Sequence, residues 1–220
     1  MGVLLLVRHG QASLGADEYD QLSDLGLRQA QILGARLAGT DLTVDRVVCG
    51  TLARQRDTAQ AVLAALGRNG PELATDDRLD EYDHVGVLAQ HPSGITFAGA
   101  TADGESGRRL QSALEEAISR WMSGGRGYTE SHDAFVSRSV AAVQDLIGRP
   151  AGTVAVTSGG VIAAVCATEL GLPIEHWPGV ARLIVNSSIT KIVSGPAGTH
   201  LVTFNDHAHL EDDRALITYR

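Results

Sequence analysis

Short apolar runs alternate along the chain with segments whose apolar residues recur every three or four positions. Residues 3–7 are uninterrupted valine and leucine, a run typical of a strand covered on both faces of a sheet. Residues 45–50 and 152–158 predict two further short strands. A polar junction and then a helical pattern follow each of the three. The pattern therefore predicts parallel strands joined through helices.

Helical spacing of apolar residues continues through much of the remaining chain. Ser23 is a predicted N-cap, with Leu22 and Leu27 placed for a hydrophobic staple. Two later β-rich runs, residues 183–193 and 200–204, are predicted to complete the sheet, and residues 211–220 to form a polar tail. The predicted helices cover residues 23–37, 52–66, 109–122, 135–147 and 160–171.

The periodic pattern loosens between residues 71 and 128, which we interpret as an insertion over the sheet. The 220 residues, with 44% hydrophobic and 20% charged content, suffice for one substantial core. No repeat or long linker divides the chain. We predict a single domain over residues 1–220 of the α/β class: a three-layer α/β/α sandwich with a mostly parallel central sheet and a helical and loop insertion over the site.

Charge and cysteine content limit the partners and the compartment. A formal net charge of −8 and a sequence pI near 5.4 oppose binding to nucleic acid or to an anionic membrane surface. An anionic substrate would need a local arginine cluster. Cys49 and Cys166 lie in or beside apolar stretches, which predicts buried free thiols. With neither a signal sequence nor a transmembrane pattern at the amino terminus, we expect a cytoplasmic protein.

The first strand ends in Arg8, His9 and Gly10. Open α/β sheets bind ligands at the carboxyl ends of their strands. Arginine supplies a permanently charged donor fork, histidine can serve as nucleophile, acid or base, and glycine allows close approach of the backbone. The tripeptide alone is equally compatible with the polar end of a surface strand.

Two later junctions carry groups suited to phosphate. Arg54 stands near the start of the helix that follows residues 45–50, where the helix dipole also favours an anion. Ser158 and Gly159 follow the third strand, and their hydroxyl and amide groups could bind phosphoryl oxygens. If the strands are neighbours, these groups converge.

Several segments resemble, in order, motifs of the histidine phosphatase superfamily, which also contains the cofactor-dependent phosphoglycerate mutases. The resemblance runs from about residue 3 to residue 210. Residues 6–11 resemble the family signature, and residues 79–81 fit the place of its catalytic acid. Further matching segments are residues 22–30, 51–59, 186–189 and 205–210.

The resemblance implies that His9 attacks phosphorus to form a phosphohistidine, which water then hydrolyses. It implies that Arg8 and Arg54 bind the nonbridging oxygens, that Gly10 and Gln11 contact substrate, and that no metal or cofactor takes part. Glu81 would protonate the leaving oxygen and later activate water, which requires a raised carboxyl pKa. Its rivals for that role are Asp80, Asp83 and Glu105.

The chain departs from the family at Ser158, where a second histidine usually precedes two glycines. Losing one preorganised donor can cost on the order of 10²–10³ in rate. Ser158 either binds the phosphoryl group, together with Gly159, or only caps the following helix. A slow phosphatase is therefore compatible with the sequence.

Three functions remain open, with a phosphatase favoured. An inactive protein that binds a phosphorylated ligand is the main alternative, because of Ser158. A mutase is disfavoured, because Ala12 and Gly15 stand where mutases of the family carry serine and asparagine. The expected substrate is a small phosphomonoester or a phosphoprotein, and an exposed edge strand leaves a homodimer open.

Three other histidines lie near possible functional positions. His207 and His209 lie near acidic residues, but a polar strand end explains them more simply than a metal site. We expect His84 at the surface.

Overall fold

The computed structural model describes residues 1–13, 20–67, 70–97, 104–148 and 152–219. Within these ranges the chain forms six strands and seven α-helices. In chain order they are β1 (Gly2–Arg8), α1 (Asp24–Ala38), β2 (Arg46–Cys49), α2 (Ala53–Leu66), β3 (Leu73–Thr75), α3 (His84–Ala89), α4 (Gly104–Met122), α5 (His132–Ile147), β4 (Gly152–Thr157), α6 (Gly159–Glu169), α7 (Trp177–Leu183), β5 (Ile189–Gly195) and β6 (Gly198–Asp206).

The strands form one mixed sheet with the order β3-β2-β4-β1-β5-β6. The first four strands in this order pair in parallel. Strand β5 runs antiparallel to β1, and β6 runs antiparallel to β5. The mostly parallel sheet of the prediction is therefore confirmed.

Alternating residues of β1 divide the core into two halves. Leu4 and Leu6 pack in a cluster that includes Phe135 of α5. Leu5 and Val7 pack in a second cluster that includes Leu33 of α1, as well as residues of α2. Because side chains alternate across a strand, the two clusters lie on opposite faces of the sheet, and the expected three-layer sandwich is confirmed.

Some predicted boundaries differ from the structure. Residues 71–128 do not lie wholly over the sheet, because β3 pairs with β2 at its edge. Helix α4 begins at Gly104 rather than at residue 109. The run at 183–193 is not one strand: α7 ends at Leu183, and β5 begins only at Ile189. Residues 184–188 are buried in the connection, so their apolar and small polar character reflects burial rather than pairing.

The two cysteines are free and buried, as predicted. Burial raises the pKa of Cys49 to about 11 and that of Cys166 to about 12. In the described ranges, no helix combines the length and the apolar character needed to cross a membrane.

Candidate active site

The three predicted junctions meet because β4 lies between β1 and β2 in the sheet. Arg8 is paired with Thr157, the last residue of β4, and the His9 amide donates to the Thr157 carbonyl at 2.9 Å. On the other side of β4, the Gly50 amide donates to the Val156 carbonyl at 3.3 Å. Residues that follow three different strands are thereby brought together at the carboxyl ends of the parallel strands.

His9 is held as a neutral imidazole with a defined tautomer. Its Nδ1 lies 2.7 Å from the carbonyl oxygen of Gly10, which can only accept, so this hydrogen-bond network assigns the proton to Nδ1. The other nitrogen, Nε2, accepts from Arg54 Nε at 3.1 Å. Burial lowers the pKa of His9 well below its usual value, and the charges of Arg54 and Arg8 lower it further. The nucleophilic lone pair is thus on Nε2.

Gly10 must be a glycine for steric reasons. A Cβ added there would lie 2.3 Å from the carbonyl oxygen of Gly26, in α1. The close packing of this turn against α1 also directs the Gly10 carbonyl toward the imidazole.

Arg54 is oriented by Asp20, a residue that the sequence did not single out. Arg54 Nη1 donates to Asp20 Oδ1 at 2.6 Å, and the other carboxylate oxygen accepts from the Ala53 amide at 2.7 Å. One carboxylate therefore caps the start of α2 and positions the guanidinium. An acidic residue inside a polar loop gives no periodic signal, so only the contact identifies it.

Arg8 is held by the carboxyl-terminal segment of the chain. Its Nη1 donates to the carbonyls of Ile184 and Tyr219. Leu216 is only 3% exposed, and the Thr218 hydroxyl donates to Asn186 at 2.9 Å. The expectation of a polar tail is wrong for residues 216–219, which pack against the site, whereas residues 211, 212, 214 and 215 are exposed.

Glu81 is the carboxylate that lies at the site. Its Oε2 accepts from the Gly160 amide at 3.0 Å and its Oε1 from the Tyr82 amide at 3.2 Å. Burial raises its pKa, although these backbone hydrogen bonds and the charges of Arg54 and Arg8 oppose the rise. A Cβ at residue 160 would lie 2.2 Å from Glu81 Oε1, so only glycine allows this approach.

The three rival carboxylates have other partners or positions. Asp80 accepts from the amide and the hydroxyl of Thr51, both at 2.6 Å. Asp83 caps α3 through the Gly86 amide at 2.8 Å. Glu105 lies in the first turn of α4 and lines a separate cavity of about 330 Å³. Glu81 is therefore the best-placed candidate for the acid.

Ser158 is fully buried and makes no side-chain hydrogen bond to α6. The alternative that it serves only as a helix cap is therefore wrong. Its Oγ accepts instead from Gln55 Nε2 at 2.9 Å, and the same Nε2 donates to the Leu79 carbonyl at 3.1 Å. This bond leaves the hydroxyl proton of Ser158 available for another acceptor. Gln55 is a second residue that the sequence pattern missed.

Gln11 and Gly159, the other proposed contact residues, have different surroundings. Gln11 Oε1 accepts a hydrogen bond from the Ser23 hydroxyl at 2.9 Å, and the backbone amide of Gln11 donates to Gln29 Oε1 at 2.8 Å. Its side chain therefore supports the start of α1. Gly159 lines the cleft beside Arg8.

His84 lies closer to the site than expected. It is partly buried at the start of α3, and its ring packs edge-to-face on Phe97, with centroids 5.1 Å apart. Burial, and after it the charge of Arg54, lowers the pKa of His84 to about 4. The predicted surface placement is wrong, because the ring is partly buried and packs against Phe97.

His207 and His209 each form a hydrogen bond to a backbone carbonyl. His207 Nδ1 lies 2.7 Å from the Asn205 carbonyl, and His209 Nε2 lies 3.0 Å from the Ser187 carbonyl. Among the described residues, no group of three or more His, Cys, Asp or Glu side chains is arranged to hold a metal ion.

Ala12 and Gly15 are the two positions that disfavoured a mutase. Ala12 is buried and forms an isolated bridge with Leu22, whereas Gly15 lies outside the described residues.

A cleft of about 630 Å³ opens over this edge of the sheet. Arg8, Glu81 and Gly160 lie in its lining, and α4 and α7 form its sides. We refer to Arg8, His9, Arg54 and Glu81 as the strand-end cluster, and to the lining residues of α4 and α7 as the cleft wall. The strand-end cluster offers two guanidinium groups, a neutral imidazole and a carboxyl group of raised pKa.

The family model described as histidine phosphatase superfamily (branch 1) matches residues 4–207. The chain belongs to the histidine phosphatase superfamily. A glucosyl-3-phosphoglycerate phosphatase of Mycolicibacterium vanbaalenii is 34% identical over 191 residues, which cover 80% of this chain and 77% of that protein. A 2,3-bisphosphoglycerate-dependent phosphoglycerate mutase of Sinorhizobium fredii is 34% identical over 89 residues, which cover 38% of this chain and 42% of the mutase.

Solved structures of this superfamily show the same fold. A mycobacterial glucosyl-3-phosphoglycerate phosphatase in complex with inorganic phosphate superposes with a TM-score of 0.66 at 25% identity, covering 95% of this chain and 99% of its own. Bacillus stearothermophilus YhfR superposes with a TM-score of 0.70 at 22% identity, covering 94% and 98% of the two chains. The comparisons confirm the predicted family, and they confirm the phosphatase prediction at the level of that family.

Proposed function

We propose that this protein hydrolyses phosphomonoesters through a phosphohistidine formed at Nε2 of His9. The observation that carries the proposal is the hydrogen bond from His9 Nδ1 to the Gly10 carbonyl, which leaves Nε2 unprotonated beside Arg54. Phosphatases named among the relatives support the same class of reaction.

Binding of the phosphoryl group replaces the contact between Arg54 and His9. Arg54 Nε occupies the lone pair of Nε2, so the guanidinium must turn its donors from the imidazole to the nonbridging oxygens. Arg8 donates to the same group from the end of β1. Two cations then neutralise the dianion, and charge neutralisation with positioning is most of what phosphoryl transfer requires.

In the first step, Nε2 forms a bond to phosphorus and the ester P–O bond breaks. The carboxyl group of Glu81 gives its proton to the leaving oxygen, which departs as an alcohol. Burial raises the pKa of Glu81 and so favours the protonated acid that this step needs. The proton stays on Nδ1, and its hydrogen bond to the Gly10 carbonyl stabilises the positive charge of the phosphorylated ring.

In the second step, the Glu81 carboxylate takes a proton from water. The resulting hydroxide attacks phosphorus, the N–P bond breaks, and inorganic phosphate leaves. Glu81 is again protonated and His9 is again neutral, so the cycle consumes one ester and one water.

A phospho-ligand binding protein with little turnover is the second candidate. Ser158 favours it, because a neutral hydroxyl replaces the cationic donor that the family usually carries at this position. We propose Ser158 and the Gly159 amide as further phosphate contacts. The hydroxyl accepts from Gln55 and would donate its own proton to a phosphoryl oxygen.

The substrate is proposed to be a small phosphorylated molecule, as the name of the glucosyl-3-phosphoglycerate phosphatase suggests, and a phosphoprotein remains the alternative. The single domain over residues 1–220, the cytoplasmic location, the homodimer and the independence from metal and cofactor stay predictions.

Covalent labelling separates the two candidate functions. The protein is mixed with ³²P-labelled phenyl phosphate, quenched in base and tested for acid-labile, base-stable label, as phosphohistidine requires. We expect label on the unaltered protein and none on His9→Asn, whose folding is checked by its thermal midpoint. Label retained by His9→Asn would refute the mechanism, and bound phosphate without label would favour the binding protein.

A further inference from the structure

The cleft is much larger than a phosphoryl group needs. Its volume of about 630 Å³ falls in the range of sites for drug-sized ligands, roughly 300–1,000 Å³. Arg8, Glu81 and Gly160 line the end of the cleft next to the sheet. The rest of the cleft is therefore available to the leaving group.

The cleft wall carries apolar residues on both sides, and α4 also contributes the polar side chains of Gln111 and Ser119. Trp177 is 1% exposed and fixed by a hydrogen bond from its Nε1 to the Gly160 carbonyl at 2.9 Å. Ile118 faces it from α4 and is 9% exposed. Tyr82, beside Glu81, stacks on Trp121 with centroids 5.0 Å apart. The other apolar lining residues are Leu114, Met122, Ile174, Pro178 and Ala181.

Charged side chains lie at the outer part of the cleft. Arg182 of α7 forms an ion pair with Glu115 of α4 at 3.3 Å, which joins the two sides. Glu175 lies in the short segment before α7. Among the described lining residues outside the strand-end cluster, two carboxylates thus face one guanidinium. A second anionic group on a substrate would meet a net negative charge there and would compete with Glu115 for Arg182.

We infer that the cleft selects phosphomonoesters whose leaving group is an apolar chain or ring without a second anionic group. This inference rests on the proposed function and specifies its substrate class. It sets the chain apart from the relative named for glucosyl-3-phosphoglycerate, whose substrate carries a carboxylate.

Three esters with the same scissile bond and primary alkyl leaving groups test the inference. They are ethyl phosphate, pentyl phosphate and the phosphate ester of 5-hydroxypentanoate, in which a carboxylate replaces the terminal methyl group of the pentyl chain. We expect kcat/KM for pentyl phosphate to exceed that for ethyl phosphate by at least about tenfold, since each buried methylene contributes to binding. We expect the carboxylate ester to fall below pentyl phosphate by about tenfold or more.

Two matched pairs of variants assign these effects to residues. Glu115→Gln removes one carboxylate and frees Arg182, so it raises kcat/KM for the carboxylate ester several-fold. Glu116→Gln makes the same change one residue along α4, where Glu116 pairs with His91 at 3.1 Å outside the cleft. In that control, the ratio of kcat/KM for the carboxylate ester to kcat/KM for pentyl phosphate stays unchanged.

Met122→Gln, in the cleft wall, lowers the ratio of kcat/KM for pentyl phosphate to kcat/KM for ethyl phosphate. Leu170→Gln, at an exposed leucine outside the cleft, does not. Equal kcat/KM for ethyl and pentyl phosphate, or preference for the carboxylate ester, would overturn the inference. If these results accompany phosphohistidine labelling, the inference fails alone. If no ester is hydrolysed and no label forms, the proposed function fails with it.

Discussion

The strand-end cluster, which contributes Arg8 and Glu81 to the lining of the cleft, and the cleft wall are held in different ways. His9 and Glu81 are fixed by backbone groups, through the Gly10 carbonyl and the Gly160 amide. In the wall, the charged contact is the partly exposed pair of Arg182 and Glu115. A surface pair of that kind contributes about 0–1 kcal/mol. The side chains of His9 and Glu81 are thus tied to backbone groups, whereas the charged pair of the wall can change without disturbing those bonds.

The largest expected effect separates Glu81 from its neighbour Asp80. Glu81→Gln removes the proton donor and lowers kcat for alkyl phosphates by on the order of 10²–10⁴. Asp80→Asn weakens the bonds to Thr51 and lowers stability with little change in kcat. Both variants are compared by steady-state kinetics and thermal unfolding. Equal losses of kcat would remove the distinction between the two carboxylates.

The pH dependence follows from the same two reactive groups. The pKa of His9 is lowered by burial, so activity falls only when the pH drops well below 6.5 and the imidazole becomes protonated. The pKa of Glu81 is raised by burial, so activity falls again as the pH rises through that raised value and the acid loses its proton. We expect a bell-shaped profile of kcat/KM, and Glu81→Gln should lack its basic side. A basic side that survives in Glu81→Gln would assign it to another group.

The same substitution in the two regions tests the comparison directly. Arg54→Lys removes the planar donor that contacts both His9 and Asp20, and kcat/KM for ethyl phosphate should fall by on the order of 10²–10³. Arg182→Lys should change it by less than about threefold. Similar losses in the two variants would show that the wall takes part in the chemistry.

A smaller effect is expected at Ser158 and Gln55, both fully buried. Ser158→His alone overpacks this position and should lower stability by about 1–3 kcal/mol. The double variant Ser158→His with Gln55→Ala provides room for the imidazole. We expect it to recover stability and to raise kcat by about tenfold or more, measured on phenyl phosphate. Unchanged kcat in the double variant would place residue 158 outside the reaction.

The smallest effect is expected at Asp20, whose side chain is 44% exposed. Asp20→Asn keeps a cap for α2 but removes the charge that orients Arg54. We expect kcat/KM to fall by roughly three- to tenfold with a change of no more than about 1 kcal/mol in stability. Loss of stability without a kinetic effect would restrict Asp20 to capping.

The local sequence pattern predicts the strands that precede Arg8 and Ser158 and the helix that carries Arg54. Short, mostly apolar runs such as residues 3–7 and 152–158 are typical of buried strands, so β1 and β4 could be predicted without a structure. The order of the matching motifs predicted the family, and the position of residues 79–81 in that order pointed to Glu81. These signals are local or follow the order of the chain, so they survive without tertiary contacts.

Only the tertiary structure decided which partners complete the site. Gln55 meets Ser158 across 103 residues of chain, and Arg8 meets Tyr219 across 211. Such contacts leave no periodic trace, so the sequence pattern predicts neither the packing of residues 216–219 nor the role of Asp20. The contact of His9 Nε2 with Arg54 and the lining of the cleft likewise depend on groups from distant segments. The physical reason is that burial and hydrogen bonding at this site are set by packing between elements, and a linear pattern does not record that packing.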